Sequence, residues 1–331
     1  MKNYVHIGLG KTATSSLQSH IFSRIPRIRP EIKYNTPDVI RSIDLWMLEL
    51  LDDEKCLVLQ DILAEKNHFI SREHLVNWNP RYWEESANKN LKLFGYNSTI
   101  IITIRETESY LRSLYQQIIH EGNIIPPNDF FVCSEEYDAQ EGLLIPAALT
   151  RFDVDSFDLS HLIQIYEERF DTVIVVPMSQ INQLEFMIDI FNLSVEEHLS
   201  LCKLLCRGKK LNQSYSKLAM NLTFLLSGLL ETIGLEFRGS HSKMLSEALS
   251  LRQNLRKIYT PYKALSIYQK FLQFFPRVKK KLFKFINWRY IMQAFVSRYL
   301  SKKPYIVPSS CYRNIELAKK NDSLAKKSYN S

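Results

Sequence analysis

The residues best equipped for chemistry stand almost at the start of the chain, in "YVHIGLGKTATSSLQSHIF", positions 4 to 22. Lys11 is followed within five residues by four hydroxyls, on Thr12, Thr14, Ser15 and Ser16. A lysine point charge, short hydroxyl side chains and the free backbone N–H groups of a helix start together make a cradle for an anion, above all a phosphate. Capping the helix would need only one such hydroxyl. A nucleoside-triphosphate loop has the pattern G-x-x-x-x-G-K-[ST], which would put its first glycine at position 5, where Val5 stands. A second cation, Arg105, follows the apolar run Thr99 to Ile104 in "STIIITIRETESYLRSLYQQIIHEG", with Ser113 eight residues further on.

These groups need elements to hold them. Tyr4, Val5 and Ile7 predict a buried strand, Gly8-Leu9-Gly10 a tight turn, and Thr12 to Phe22 a helix. Thr99 to Ile104 predicts a second buried strand with Arg105 at its carboxyl end and a helix from Glu106 onward. "NHFISREHL" predicts a short strand from His68 to Ser71, and "HLIQIYEERF" an amphipathic helix leading into the apolar strand of "DTVIVVPMSQ". After about residue 195 the pattern is helical almost to the end. Strands alternating with helices predict an α/β fold: a P-loop-like parallel sheet flanked by helices, with a helical C-terminal region. Ligands of such sheets bind outside the carboxyl ends of the strands, where Arg105 falls.

In their order, about 90 residues apart, the two stretches resemble the sulfotransferase family that uses 3′-phosphoadenosine 5′-phosphosulfate (PAPS). In that family the first strand leads into a Lys-Thr-Gly-Thr-Ser-Ser type loop for the 5′-phosphosulfate. A later strand ends in Arg, with Ser eight residues on, and both hold the 3′-phosphate. The resemblance therefore implies donor contacts from Gly10, Lys11, Thr12, Ala13, Thr14, Ser15 and Ser16, and from Arg105 and Ser113. Ala13 stands where the bacterial carbohydrate-type branch usually has glycine; it is expected to tighten the loop while keeping helical dihedrals.

Sulfuryl transfer, like phosphoryl transfer, is an in-line displacement in which the protein positions groups and stabilises charge on the leaving oxygen. Lys11 is the candidate for that charge. The acceptor must lose a proton to a base, which the family places at or just after the end of its second strand. Here that stretch is "ISREHL", with Glu73 the first choice and His74 the second. His120 is a weaker candidate on the acceptor side, and His6, inside the first strand, reads as structural.

"RGKKLNQSYSKLA", residues 207 to 219, loosely matches a segment that closes the family's nucleotide site late in the chain, with Arg207, Lys209, Lys210, Asn212 and Ser214 as candidates. An exposed basic loop capping the next helix explains the same residues. "YRNIELAKKNDSLAKKSYNS" is similar to the C-terminal helix of bacterial members, whereas residues 235 to 305 match no family motif. The implied organisation is a PAPS-binding core at 1–200 and a helical part at 201–331 that completes the donor site and the acceptor pocket, within one sulfotransferase domain. The implied cofactor is PAPS, leaving adenosine 3′,5′-bisphosphate, with no metal. The implied acceptor is a carbohydrate, polysaccharide or glycolipid hydroxyl, less readily an amine.

Composition agrees with a soluble enzyme: 331 residues, 45% hydrophobic, suffice for a substantial core. The longest apolar run, "LAMNLTFLLSGLL", is interrupted and shorter than a membrane span, and Lys2 is followed by strand rather than a leader. Five cysteines lack metal-ligand spacing. Cys202 and Cys206, one turn apart and read without a histidine partner, fit small buried apolar residues. The expected compartment is the cytoplasm.

Charge is uneven. Residues 248 to 315 hold 15 Lys and Arg and no Asp or Glu, so the rest of the chain, with 28 basic and 35 acidic residues, is net negative. Aromatics from Tyr259 to Tyr299 interleave with the cations. Such a surface suits an anionic glycan or an anionic membrane face, which leaves peripheral contact at the inner membrane open; nucleic acid is not expected. Two other classes stay open on sequence alone: a P-loop kinase or NTPase binding ATP with Mg²⁺, and a non-enzymatic basic module for membranes or polyanions. The acceptor and the oligomeric state are not written in the sequence.

Overall fold

The structure, a computed structural model, describes residues 2–120, 124–139, 151–207, 215–232, 291–300, 302–311 and 314–326. Its strands in chain order are β1 (Asn3–His6), β2 (Ile32–Tyr34), β3 (Asn67–Ser71), β4 (Thr99–Ile104), β5 (Phe131–Val132), β6 (Phe152–Asp153) and β7 (Thr172–Pro177). β5 and β6 form a small parallel pair. The other five make one parallel sheet, as the α/β pattern predicts, and their order is β2-β3-β1-β4-β7. All six residues of β4 are buried, because helices cover both faces of a parallel sheet and both sets of alternating side chains face apolar neighbours.

The described helices that matter here are α1 (Thr14–His20), α2 (Pro37–Met47), α3 (Asp53–Glu65), α4 (Trp83–Phe94), α5 (Thr107–His120), α6 (Leu159–Glu167), α7 (Val195–Arg207), α8 (Lys217–Thr232) and α9 (Ile315–Lys326). Local chemistry sets several of their ends. Asp52 caps α3 by accepting from the Lys55 N–H at 2.9 Å, and Asp158 caps α6 through Ser160 N–H at 2.8 Å. α4 stops at Gly95, whose φ of 76° and ψ of 158° lie in a region essentially open only to glycine.

The core packs Leu17, Ile21 and Phe22 from the first helical stretch against Phe69, Ile101 and Val176 of the sheet and Phe191 beyond it. A separate aromatic group is built from Tyr110, Phe152 and Phe157, with the Tyr110 and Phe157 rings stacked at 4.9 Å. Polar ties fix the connections. Asn90 of α4 donates to the Leu75 carbonyl at 2.7 Å and to the Tyr166 hydroxyl at 3.0 Å. Buried Asp153 accepts from Arg81, Ser134 and Ser156.

The chain divides into two compact units. The first comprises residues 1–111, 127–212 and 307–331 and contains both sheets; the second comprises 112–126 and 213–306. Within the second, the Gln116 amide exchanges hydrogen bonds with the Tyr215 backbone at 3.1 Å, the Ser216 N–H donates to Ser297 Oγ at 3.0 Å, and the Tyr115 and Tyr305 rings stack. Residues 291–300 are a π-helical segment. Most of the basic segment 248–315 lies outside the described residues. Among the described residues no helix is long and apolar enough to cross a membrane.

Candidate functional site

Topology decides where a ligand can enter. β1 and β4 are neighbours, yet the chain leaves β1 towards β2 on one side and leaves β4 towards β7 on the other. Adjacent strands with diverging connections open a crevice at their carboxyl ends, the usual ligand position in an open parallel sheet. The loop after β1 and Arg105 after β4 both emerge there.

The loop follows a tighter course than its sequence predicts. Lys11 has φ 69° and Ala13, the N-cap of α1, has φ 63° and ψ 14°; both are left-handed. The expectation that Ala13 keeps right-handed helical dihedrals is therefore corrected. α1 starts at Thr14 instead of Thr12 and ends at His20, before a short 3₁₀ turn, Phe22–Arg24. A left-handed alanine costs roughly 1–2 kcal/mol relative to the right-handed form, and glycine would occupy the position without that strain.

Under the loop lies a continuous buried hydrogen-bond chain. The Thr12 hydroxyl donates to the Leu9 carbonyl, and the Thr12 N–H reaches the same carbonyl at 3.2 Å. Thr12 Oγ1 lies 2.6 Å from Thr103 Oγ1, which lies 3.3 Å from His6 Nε2; His6 Nδ1 is 2.8 Å from Ser71 Oγ. Gln18 donates to Ser71 Oγ at 3.1 Å. Because Thr12 gives its proton to Leu9, Thr103 donates to Thr12 and His6 Nε2–H donates to Thr103. A neutral His6 protonated on Nε2 accepts from Ser71 at Nδ1. Burial agrees, pushing the His6 imidazole down to about 3. Gly8 belongs to the same packing, since a Cβ there would sit 2.1 Å from Thr103 Oγ1 and 3.0 Å from the His6 ring.

The other face carries charge. Glu73 opens a 3₁₀ turn, Glu73–Leu75, just past β3, and its Oε2 lies 3.9 Å from where a Cβ on Gly10 would be. Burial raises the Glu73 carboxyl above its ordinary value, against the pull of Lys11, His74 and Arg72. Among the described residues its side chain makes no hydrogen bond or ion pair. Arg105 donates to the Lys11 carbonyl at 2.8 Å and to Ser109 Oγ at 2.7 Å, tying the end of β4 to the loop. Among the described residues, buried Thr14 Oγ1 has no hydrogen-bond partner, a position that costs about 1–3 kcal/mol unless a ligand oxygen or water fills it. Ser15 and Ser16 follow it, half-buried.

Glu73, Lys11, Gly10 and Arg105 are thus brought together. His74 is drawn elsewhere: its Nε2 lies 2.6 Å from Asp44 Oδ1, on an exposed side of the turn. Thr12 is in the loop, but its hydroxyl and N–H are both used inside the protein. Ser113, half-buried on α5, belongs to the second unit, and α5 ends at His120. Arg207 ends α7, exposed. Lys209, Lys210, Asn212 and Ser214 lie outside the described residues. Sequence reasoning missed Thr103, whose only signal is a hydroxyl within an apolar strand, and Asp44, which has no local signal. It also overlooked His198, four residues before Cys202 in sequence; its Nε2 lies 3.5 Å from Cys202 Sγ, and both face the Gln183 carbonyl. Cys206 is exposed rather than buried. No group of three or more His, Cys, Asp or Glu among the described residues is placed to hold a metal ion.

No protein-family model matches the chain, and no curated protein matches it. Among solved structures it is similar to a sulfotransferase from Alicyclobacillus acidocaldarius, at 15% identity over 70% of this chain and 95% of that one, with a TM-score of 0.35.

Proposed function

We propose that the chain is a sulfotransferase that moves the sulfuryl group of PAPS to a hydroxyl, less readily an amine, of a carbohydrate, polysaccharide or glycolipid. The observation that carries the reading is the meeting of Glu73 with the Lys11 loop at the crevice between β1 and β4. A carboxyl that makes no hydrogen bond among the described residues, raised by burial and set within the field of an ammonium, suits a general base opposite a leaving-group cation.

The loop fits a phosphosulfate on its own chemistry. The orphaned Thr14 hydroxyl, the hydroxyls of Ser15 and Ser16, and Lys11 offer donors where Thr12 offers none. Arg105, anchored to the Lys11 carbonyl, is the group proposed to meet the 3′-phosphate. When bound, PAPS would supply the activated sulfuryl group. The work of the chain is then to hold the acceptor oxygen in line, take its proton on Glu73 and balance charge at the leaving oxygen with Lys11. The cation-rich segment 248–315 is proposed to meet an anionic glycan or lipid headgroup.

The test is to incubate the protein with PAPS and a panel of neutral glycans, a uronic-acid polysaccharide and a glycolipid in micelles, reading sulfated product by mass spectrometry. Product is expected from the native chain and none from Lys11→Ala. Product that survives Lys11→Ala would sink the leaving-group role.

A further inference from the structure

We propose that Asp44 is a positioning residue that aims Glu73 at the Lys11 loop by holding the side chains on either side of it; this rests on reading Glu73 as the base. Asp44 sits on α2, 28 residues before Arg72 in sequence. It accepts both Arg72 Nε, at 3.2 Å, and Arg72 Nη2, and it accepts His74 Nε2 at 2.6 Å. The residues before and after Glu73 therefore reach one carboxylate.

Arg72 is extended, with φ −146° and ψ 129°, so side chains alternate across this point and Glu73 is sent the opposite way, towards Gly10 and Lys11. The backbone is pinned as well: the Arg72 N–H donates to the His6 carbonyl at 3.1 Å, and Asn90 holds the Leu75 carbonyl. Arg72 and His74, which flank Glu73, are thus both engaged by Asp44. Were Asp44 removed, Arg72, whose charge already pulls on the Glu73 carboxyl, would be released to pair with it, and a base held in an ion pair with arginine is a weaker base. Burial works against charge on Asp44, but hydrogen bonds from His74 and Arg72 hold it below its ordinary value. The charged and titratable groups facing Glu73 are Lys11 from the loop, Arg72 and His74 from its own turn, and Tyr110 from α5.

The experiment reads the Glu73 carboxyl directly, by carbon-13 NMR of glutamate-labelled protein, with the resonance assigned by its loss in Glu73→Gln. In Asp44→Ala the Glu73 midpoint should fall towards the ordinary carboxylate value. The acid limb of the transfer profile should move down with it. With PAPS as donor, kcat should drop on the order of 10²-fold at unchanged donor KM, the scale for misplacing a catalytic group by about an ångström. Asp44→Glu should recover part of the loss, and removing Arg72 in the Asp44→Ala background should return the midpoint upward. If Asp44→Ala does not fold, Asp44→Asn gives the same readings, with a smaller shift in the same direction. An unchanged Glu73 midpoint in a folded Asp44 variant overturns the proposal. The titration needs no donor, so it decides the role of Asp44 even if the chain turns over no PAPS.

Discussion

The loop after β1 has two faces that treat polar groups in opposite ways. Underneath, Thr12, Thr103, His6, Ser71 and Gln18 form a chain in which donors and acceptors match and no group is charged. Above, among the described residues, Glu73 makes no hydrogen bond and Thr14 Oγ1 has no hydrogen-bond partner, while Lys11 and Arg105 bring cations to the same stretch of backbone. Satisfied groups in a dry interior rigidify, because leaving any one of them unpaired is costly. Unsatisfied ones keep free energy available for a ligand. The contrast separates a support from a working surface within nine residues.

The comparison breaks most sharply at Glu73. Glu73→Gln is expected to cut transfer by about 10²-fold or more while donor binding, followed by calorimetry, stays intact. Full turnover would move the base elsewhere. The same variant should be more stable than the native chain at pH 7 in urea. Burial raises the folded-state carboxyl above its unfolded value, so its stabilising contribution exists at low pH and is lost as pH rises past the unfolded value.

The supporting face breaks at Gly8. Gly8→Ala should lose about 1–3 kcal/mol in chemical denaturation, because the added methyl has only the Thr103 hydroxyl and His6 ring to displace. A pH-dependent component comes from His6, which is depressed to about 3 when folded, against roughly 6.5 unfolded. The unfolded chain then binds the extra proton between those values. Stability from this group is full above about 6.5 and is lost as pH falls, with a slope of up to ~1.4 kcal/mol per pH unit. Urea midpoints measured across that range should show this component in the native chain and lack it in His6→Gln. The smallest expected change is Ala13→Gly, a gain of less than about 1 kcal/mol from relieving a left-handed alanine. A loss there would mean that the loop tolerates its strain better than its dihedrals imply.

What could be read from the sequence divides along the same line. β4 is legible because a fully buried parallel strand is a run of apolar and β-branched residues, β1 because Tyr4, Val5 and Ile7 stand together before a glycine turn, and Arg105 because it ends β4. β2 is not, since Ile32–Tyr34 is too short to show a period. Glu73 and the hydroxyls near Lys11 are visible as residue types. The direction each hydroxyl takes is not, because it depends on Lys11 and Ala13 adopting dihedrals that neither residue favours. Asp44 is invisible for a different reason: its partners lie 28 and 30 residues away and meet it only once the sheet has formed.

Calorimetric titration of the native chain with adenosine 3′,5′-bisphosphate, beside AMP and beside ATP with and without Mg²⁺, shows which nucleotide the loop holds. The bisphosphate should bind more tightly than AMP or ATP, Mg²⁺ should make no difference, and Arg105→Ala should weaken the bisphosphate far more than AMP. Tight Mg²⁺-ATP binding with no response to the bisphosphate would contradict the PAPS reading and make the loop a nucleoside-triphosphate site.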